Sequence, residues 1–230
     1  TYALQMESLK YIQPSIALAP YVKRYWILKA AVFLGISQRL IPNGCTELMF
    51  NLGDRIKFSP DNHFQPFSYI TGPNPGYHDL ASAGSMRLIS VAFTPFGAKA
   101  FFTMPMHELG SKCTDIDDIG DSLLSDLSKH ISDTADDNIR IGLIERFLLH
   151  RFNPLKDHNQ KRLSAVIEVI NNSREVEINT LAGISCLSYR QFIRIFTDHI
   201  GMAPKEYSRV VRFQKVLYTL QNTPQISPVD

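Results

Sequence analysis

Up to about residue 103, apolar and polar positions alternate in short runs. The run YVKRYWIL at 21–28 is aromatic and β-branched. TELMFNL at 46–52 alternates and stops at the turn pair Gly53 and Asp54, and MRLISVAF at 86–93 ends just before Pro95 and Gly97. Short alternating runs separated by Gly/Pro turns predict strands folded into a sandwich or barrel. From Gly97 the period becomes helical. Leu123, Leu124, Leu127 and Ile131 mark one helix, and Ile141, Ile144, Phe147 and Leu148 mark a second. The acidic run at 115–118 precedes the first and suits a helix N-terminus. These stripes need a partner, either their own β domain or a second subunit. Ile141, Ile144 and Leu148 are the candidate contact of a two-fold homodimer.

A polar, proline-containing linker is expected at 153–160. Beyond it the apolar positions predict four helices, over 161–171, 179–184, 188–199 and 204–220. The fold class is therefore α+β. A β barrel or sandwich with trailing helices covers 1–152, and an all-helical domain covers 161–230.

The third of these four helices carries the clearest signal. Ser188 and Gln191 form the capping box S-x-x-Q at its start, and Gly201 sits where a helix commonly ends. Phe192, Ile195 and Phe196 share the inward face. Tyr189, Arg190, Ile193, Arg194 and Thr197 share the other, which is polar, basic and free of carboxylates. Such a helix fits the major groove, where arginine can donate two bonds to guanine and Ile193 can meet a thymine methyl.

Charge sharpens this reading. Residues 1–155 carry 14 Lys/Arg against 15 Asp/Glu, whereas 156–230 carry 10 against 7. The smaller, helical part is the basic one, which suggests a polyanionic partner. Apolar residues make up 44% and charged residues 20%, the balance of a soluble globular chain. No apolar run is long enough to span a bilayer and no secretory leader is visible. Three widely spaced cysteines without a CxxC argue against a disulfide framework or zinc site, and a cytoplasmic setting is expected.

The helical region resembles the AraC/XylS family of transcription regulators. Leu181 and Ala182, then Ser188, Phe192, Arg194, Phe196, Gly201, Pro204, Tyr207 and Arg212, fall at that family's spacing over about 35 residues. The resemblance implies that 188–199 is the recognition helix, with Ser188 as its cap and Arg190, Ile193 and Arg194 at base-reading positions. It places Arg209, Arg212 and Lys215 on a long fourth helix that joins two helix-turn-helix units. Two departures stand out. Ala203 replaces the usual Ser or Thr cap, at a cost of roughly 1 kcal/mol. The sequence also ends before a second unit; Ser227, Pro228 and Asp230 look like a helix start, so a truncated product is expected. The N-terminal part resembles a sensor domain of the same family through YVxxYW at 21–26, IPNGCTELMFN at 41–51, TGP at 71–73 and FTPFGA at 93–98. That resemblance implies a cupin-like β domain with a sensing or dimerising role.

Competing chemistry is weak. Tyr21 and Tyr25 are candidate ligand-binding residues with core packing as the alternative, Trp26 reads as core, and Glu47 is the candidate polar contact. Glu47, His63, His78 and His107 are scattered and contain no H-x-H pair, which disfavours a metal. Cys45 beside Glu47 reads as a structural thiol. No phosphate-cradling loop and no Gly-x-Ser-x-Gly element occurs. The expected function is sequence-specific binding of double-stranded DNA under control of a small-molecule effector, with no cofactor and no enzymatic activity. The alternative is a cupin-like enzyme or ligand-binding protein whose C-terminal helices form a partner module.

Overall fold

The computed structural model describes residues 5–31, 37–59, 63–82, 84–110, 112–152, 159–173 and 175–222. Among these residues ten strands form two sheets: β1 (Gln5–Ile12), β2 (Val22–Ala31), β3 (Ser37–Leu40), β4 (Glu47–Asn51), β5 (Ile56–Ser59), β6 (His63–Phe64), β7 (Ser68–Thr71), β8 (His78–Ser82), β9 (Met86–Phe93) and β10 (Cys113–Asp115). The larger sheet has the order β1-β2-β9-β4-β7-β10 and the smaller β3-β8-β5-β6. All pairings are antiparallel.

Alternation along the central strands gives the larger sheet two working faces. Tyr25, Ile27, Leu48, Phe50, Ile70, Ile89 and Val91 point to one side. There they join Leu124, Leu127 and Ile131 of α2 (Ser122–Asp133) and Ile141, Ile144 and Leu148 of α3 (Asp137–Arg151) in the main core. Ala30, Met49, Tyr69, Met86 and Leu88 point to the other side and meet Ile56 and Leu80 of the smaller sheet. Among the described residues neither sheet closes on itself, so of the expected barrel or sandwich the layered arrangement is the one seen. Helices α2 and α3 cover one face of the larger sheet and the smaller sheet packs on the other.

The apolar stripe of α3 is accounted for by this packing. Ile144 and Leu148 are fully buried and Ile141 nearly so, all against their own β domain. They are therefore not a surface for a second subunit. The stretch after Gly97 is also less uniformly helical than its period suggests. A 3-10 turn (Gly97–Ala100) and the short α1 (Met106–Leu109) lead into β10, which returns to pair with β7 before α2 begins. The N-cap of α2 is Asp121, whose carboxylate accepts from the Leu124 amide at 3.2 Å. Asp136 caps α3 in the same way.

Most of the expected linker, and residues 223–230 with the terminal helix-start pattern, lie outside the described residues. The helical unit comprises α4 (Gln160–Asn172), α5 (Ile178–Ile184), α6 (Tyr189–Ile200) and α7 (Pro204–Asn222). Its core is separate from that of the β domain and gathers Leu163, Val166, Ile170, Leu181, Phe192, Phe196, Tyr207 and Val210. Phe192, Phe196 and Tyr207 stack edge to face in sequence, with ring centroids 5.5 and 5.8 Å apart. No helix among the described residues is long and apolar enough to cross a membrane.

Candidate nucleic-acid interface and cavity

The turn between α5 and α6 is built on one left-handed residue, Cys186, with φ 53°. At the start of α6 both halves of the capping box form. Ser188 Oγ accepts from the Gln191 amide at 3.4 Å, and Gln191 Oε1 accepts from the Ser188 amide at 3.2 Å. Gly201, with φ 90°, closes the helix. These ends, and the burial of Phe192, Phe196 and Ile200, fix which side of α6 faces outward.

That outward side carries Tyr189, Arg190 and Arg194, all exposed, with Ile193 and Thr197 half-buried beside them. Asp198 is the acidic residue next to this face, and its charge is met by Lys99 Nζ at 3.3 Å. On α7, Arg209, Arg212 and Lys215 are exposed. Arg212 lies 4.0 Å from Glu175, and Lys215 Nζ donates to the Ser173 carbonyl at 3.4 Å. Ala203 lacks a capping hydroxyl, yet its amide donates to Glu206 Oε2 at 3.3 Å, which supplies half of a cap by another route.

A second feature lies between the two sheets. A cavity of about 340 Å³ is lined by Trp26, Glu47, Met49 and Tyr69 of the larger sheet, Phe58 and Leu80 of the smaller, and the loop from Ile41 to Cys45. Its volume falls in the range of small-molecule sites. Glu47 is its polar centre. Ser90 Oγ donates to Glu47 Oε2 at 2.9 Å, the Asn43 amide nitrogen donates to Oε1, and the Trp26 side chain adds a third bond. Burial pushes the Glu47 carboxyl above the usual carboxylate range, and these donors pull it partly back. Arg24 lines the same cavity, with its guanidinium 4.6 Å from the centroid of the largely exposed Tyr11 ring.

Of the three residues expected at a ligand site, only Glu47 lines this cavity. Tyr25 points into the main core on the opposite face, where its hydroxyl donates to Glu145 Oε1 at 3.2 Å. Tyr21 packs against Phe101 and Phe152 and donates to Gln160 Oε1 at 3.2 Å. Trp26, expected as core, packs on the smaller apolar cluster and is also the aromatic wall of the cavity. The sequence signal for the polar centre was Ser90, a lone hydroxyl inside the apolar run of β9. Ser90 pairs with Trp26 on one side and Met49 on the other. His63 is exposed on β6, His107 lies on α1, and the side chain of His78 falls outside the described residues. Among the described residues no three His, Cys, Asp or Glu side chains gather as metal ligands.

The loop at 41–45 has a second neighbour. Gly44 lies against Tyr207 and Val210 of α7, and Gln214 donates to the Pro42 carbonyl. Gly201 meets Pro73 and the Met106 carbonyl, while Phe96 of the β domain packs on the helical core. The wall of the cavity is thus also part of the seat of the helical unit.

Comparison with known proteins gives the following. The model of DUF6597, a domain of unknown function, matches residues 10–115. No curated protein matches the chain. Among solved structures, the chain is similar to ToxT from Vibrio cholerae strain SCE256 with an unsaturated fatty acid bound. The two share 8% identity at a TM-score of 0.44, over 86% of this chain and 82% of that one. ToxT from Vibrio cholerae O395 bound to a methylnaphthalenyl butenoic acid shares 10% identity at a TM-score of 0.30, over 89% of this chain and 100% of that one. Phpd with cadmium and hydroethylphosphonate shares 13% identity at a TM-score of 0.22, over 84% of this chain and 55% of that one.

Proposed function

We propose that this chain is a transcription regulator that reads double-stranded DNA with α6 and senses a small molecule in the cavity between its sheets. The observation that carries the reading is α6 itself. It is a capped helix whose inner face is locked by Phe192 and Phe196 and whose outer face presents Arg190 and Arg194 to solvent. A helix held that rigidly places its arginines for bidentate bonds to base edges, with Arg209, Arg212 and Lys215 available to phosphates. The loop at 41–45 supports the link to an effector. Asn43 and Cys45 line the cavity while Gly44 and Pro42 touch α7. A molecule that moves this loop changes the seating of the helical unit, and by linkage DNA binding changes the occupancy of the cavity.

The test is selection of duplexes from a randomised pool by the purified chain. The expected result is an enriched motif whose binding falls when Arg190 and Arg194 are both replaced by alanine. Recovery of no motif, together with unchanged duplex binding in that folded double variant, overturns the reading.

A further inference from the structure

We propose that the molecule bound between the sheets is a small organic amine, its ammonium group on the Glu47 carboxylate and its apolar body against the rings of Trp26 and Tyr69. This assignment rests on the reading of the cavity as a sensor site.

The carboxylate is arranged as an acceptor. Ionised, its two oxygens offer about four acceptor sites. Ser90, Asn43 and Trp26 take three, from the strands and loop around it. All three partners donate, which suits the ionised group and leaves its remaining capacity toward the cavity. No ion pair within contact distance reaches Glu47 among the described residues; Arg24 acts on it only through space, and Glu47 is half-buried. A carboxylate drawn partly out of water gains from a cation in direct contact. An ammonium supplies both that charge and the missing donor.

The walls fit the same chemistry. Trp26, Phe58 and Tyr69 surround the space with aromatic surface, and Met49 and Leu80 add apolar surface. Aromatic faces attract cations, most strongly where water is excluded. Arg24 is the other charge on the cavity and works against a cation, but it also acts through space on Glu47 and so favours the ionised carboxylate that an ammonium would meet. Its guanidinium rests on Tyr11, which is 55% exposed. Its buried Nε lacks a hydrogen-bond partner and suits an acceptor on the outer end of the bound molecule.

Trp26 is the only tryptophan in the chain, so its fluorescence reports on this cavity alone. The full chain is titrated with three probes of one shape: phenylpropylamine, phenylpropanol and phenylpropanoic acid. The amine is expected to saturate the signal at a concentration at least about tenfold below the alcohol, with the acid weakest. In Glu47→Gln the advantage of the amine over the alcohol should vanish. If the acid binds as well as the amine, or the alcohol matches it in the unaltered chain, the ammonium assignment falls and the sensor reading stands. The probe ranking needs no variant, so a misfolded Glu47→Gln does not rescue the proposal. If no probe changes Trp26 emission, the sensor reading falls and the assignment falls with it.

Discussion

Gly44 sits against Val210 so closely that a Cβ built on it would lie 3.3 Å from the valine Cγ1. The glycine also has φ 65°, a conformation that costs other L-residues about 1 to 2 kcal/mol. Both facts serve one contact, between the cavity loop and α7.

Gly44→Ala should therefore lower stability by about 1 kcal/mol or more, seen as a lower urea midpoint. Gly142→Ala is the matched control. Gly142 lies in α3 with open space around it, and alanine there should raise stability by up to about 1 kcal/mol. A Gly44→Ala midpoint equal to that of the unaltered chain would show that the loop does not depend on this contact.

Ile144→Asp places a charge at a position with no solvent exposure inside the main core. It should unfold the β domain or cost at least about 3 kcal/mol. Leu149→Asp, on the outward side of α3 and 45% exposed, should leave the fold intact. Circular dichroism and chemical denaturation separate the two. Sedimentation of the folded Leu149→Asp protein then tests whether this outward side joins two copies, which an unchanged dimer mass would refute.

The three thiols should react in a fixed order. Cys186 is exposed at the α5–α6 turn, whereas burial pushes the Cys45 thiol up to about 11 and that of Cys113 up to about 12. At neutral pH iodoacetamide should label Cys186 first, and the other two only after denaturation. Mass spectrometry over a time course reads the order. Early labelling of Cys45 would mean that its loop opens in the native state.

On DNA, Arg194→Ala should cost about 1 to 3 kcal/mol on a selected site and relax preference at one base position. Arg209→Ala or Lys215→Ala should weaken all duplexes alike and reduce the slope of log affinity against log salt by about one. Titration of selected and scrambled duplexes at several salt concentrations distinguishes these effects. Equal losses on both for Arg194→Ala would move that residue from base reading to phosphate contact.

Asp137 should shape the acid limb of stability. Burial disfavours its charge, but hydrogen bonds from Lys29, Arg140 and Arg87 outweigh this and hold its carboxyl at about 2, below the ordinary 3.8. A carboxyl lowered by folding contributes stability in full above its unfolded value, and this drains away as pH falls from about 3.8 toward 2. Asp137→Asn should be less stable at neutral pH and show a shallower fall across that window. Parallel curves for the two proteins would assign the acid limb to other groups.

The helical unit was more legible in the sequence than the sheets were. Helices α4 to α7 begin and end within a residue or two of their expected bounds, because Ser188, Gly201 and Pro204 mark termini by local chemistry that distant contacts rarely override. Strands β2, β4 and β9 were visible as runs of five to ten residues. The smaller sheet was not, since its strands of two to five residues carry too little alternation to show a period. The cavity was half legible. Glu47 stood out as a charge inside an apolar strand. Tyr25 and Trp26 are neighbours on β2 and point to opposite faces, so which of them meets a cavity depends on which face the smaller sheet covers, and the residues themselves do not announce that.

Alternation along β2, β4 and β7 has a consequence for how such a chain can change over generations. Each strand gives one side chain to the main core and the next to the cavity, as with Tyr25 and Trp26, Leu48 and Met49, or Ile70 and Tyr69. Exchange of Trp26, Met49 or Tyr69 alters what the cavity accepts and disturbs only the smaller apolar cluster beside it. The residues that hold α2 and α3 in place are left untouched. On the reading of the cavity as a sensor site, descendants of one scaffold could acquire new chemical appetites by single codon changes, while the core that seats the helices stays as it was.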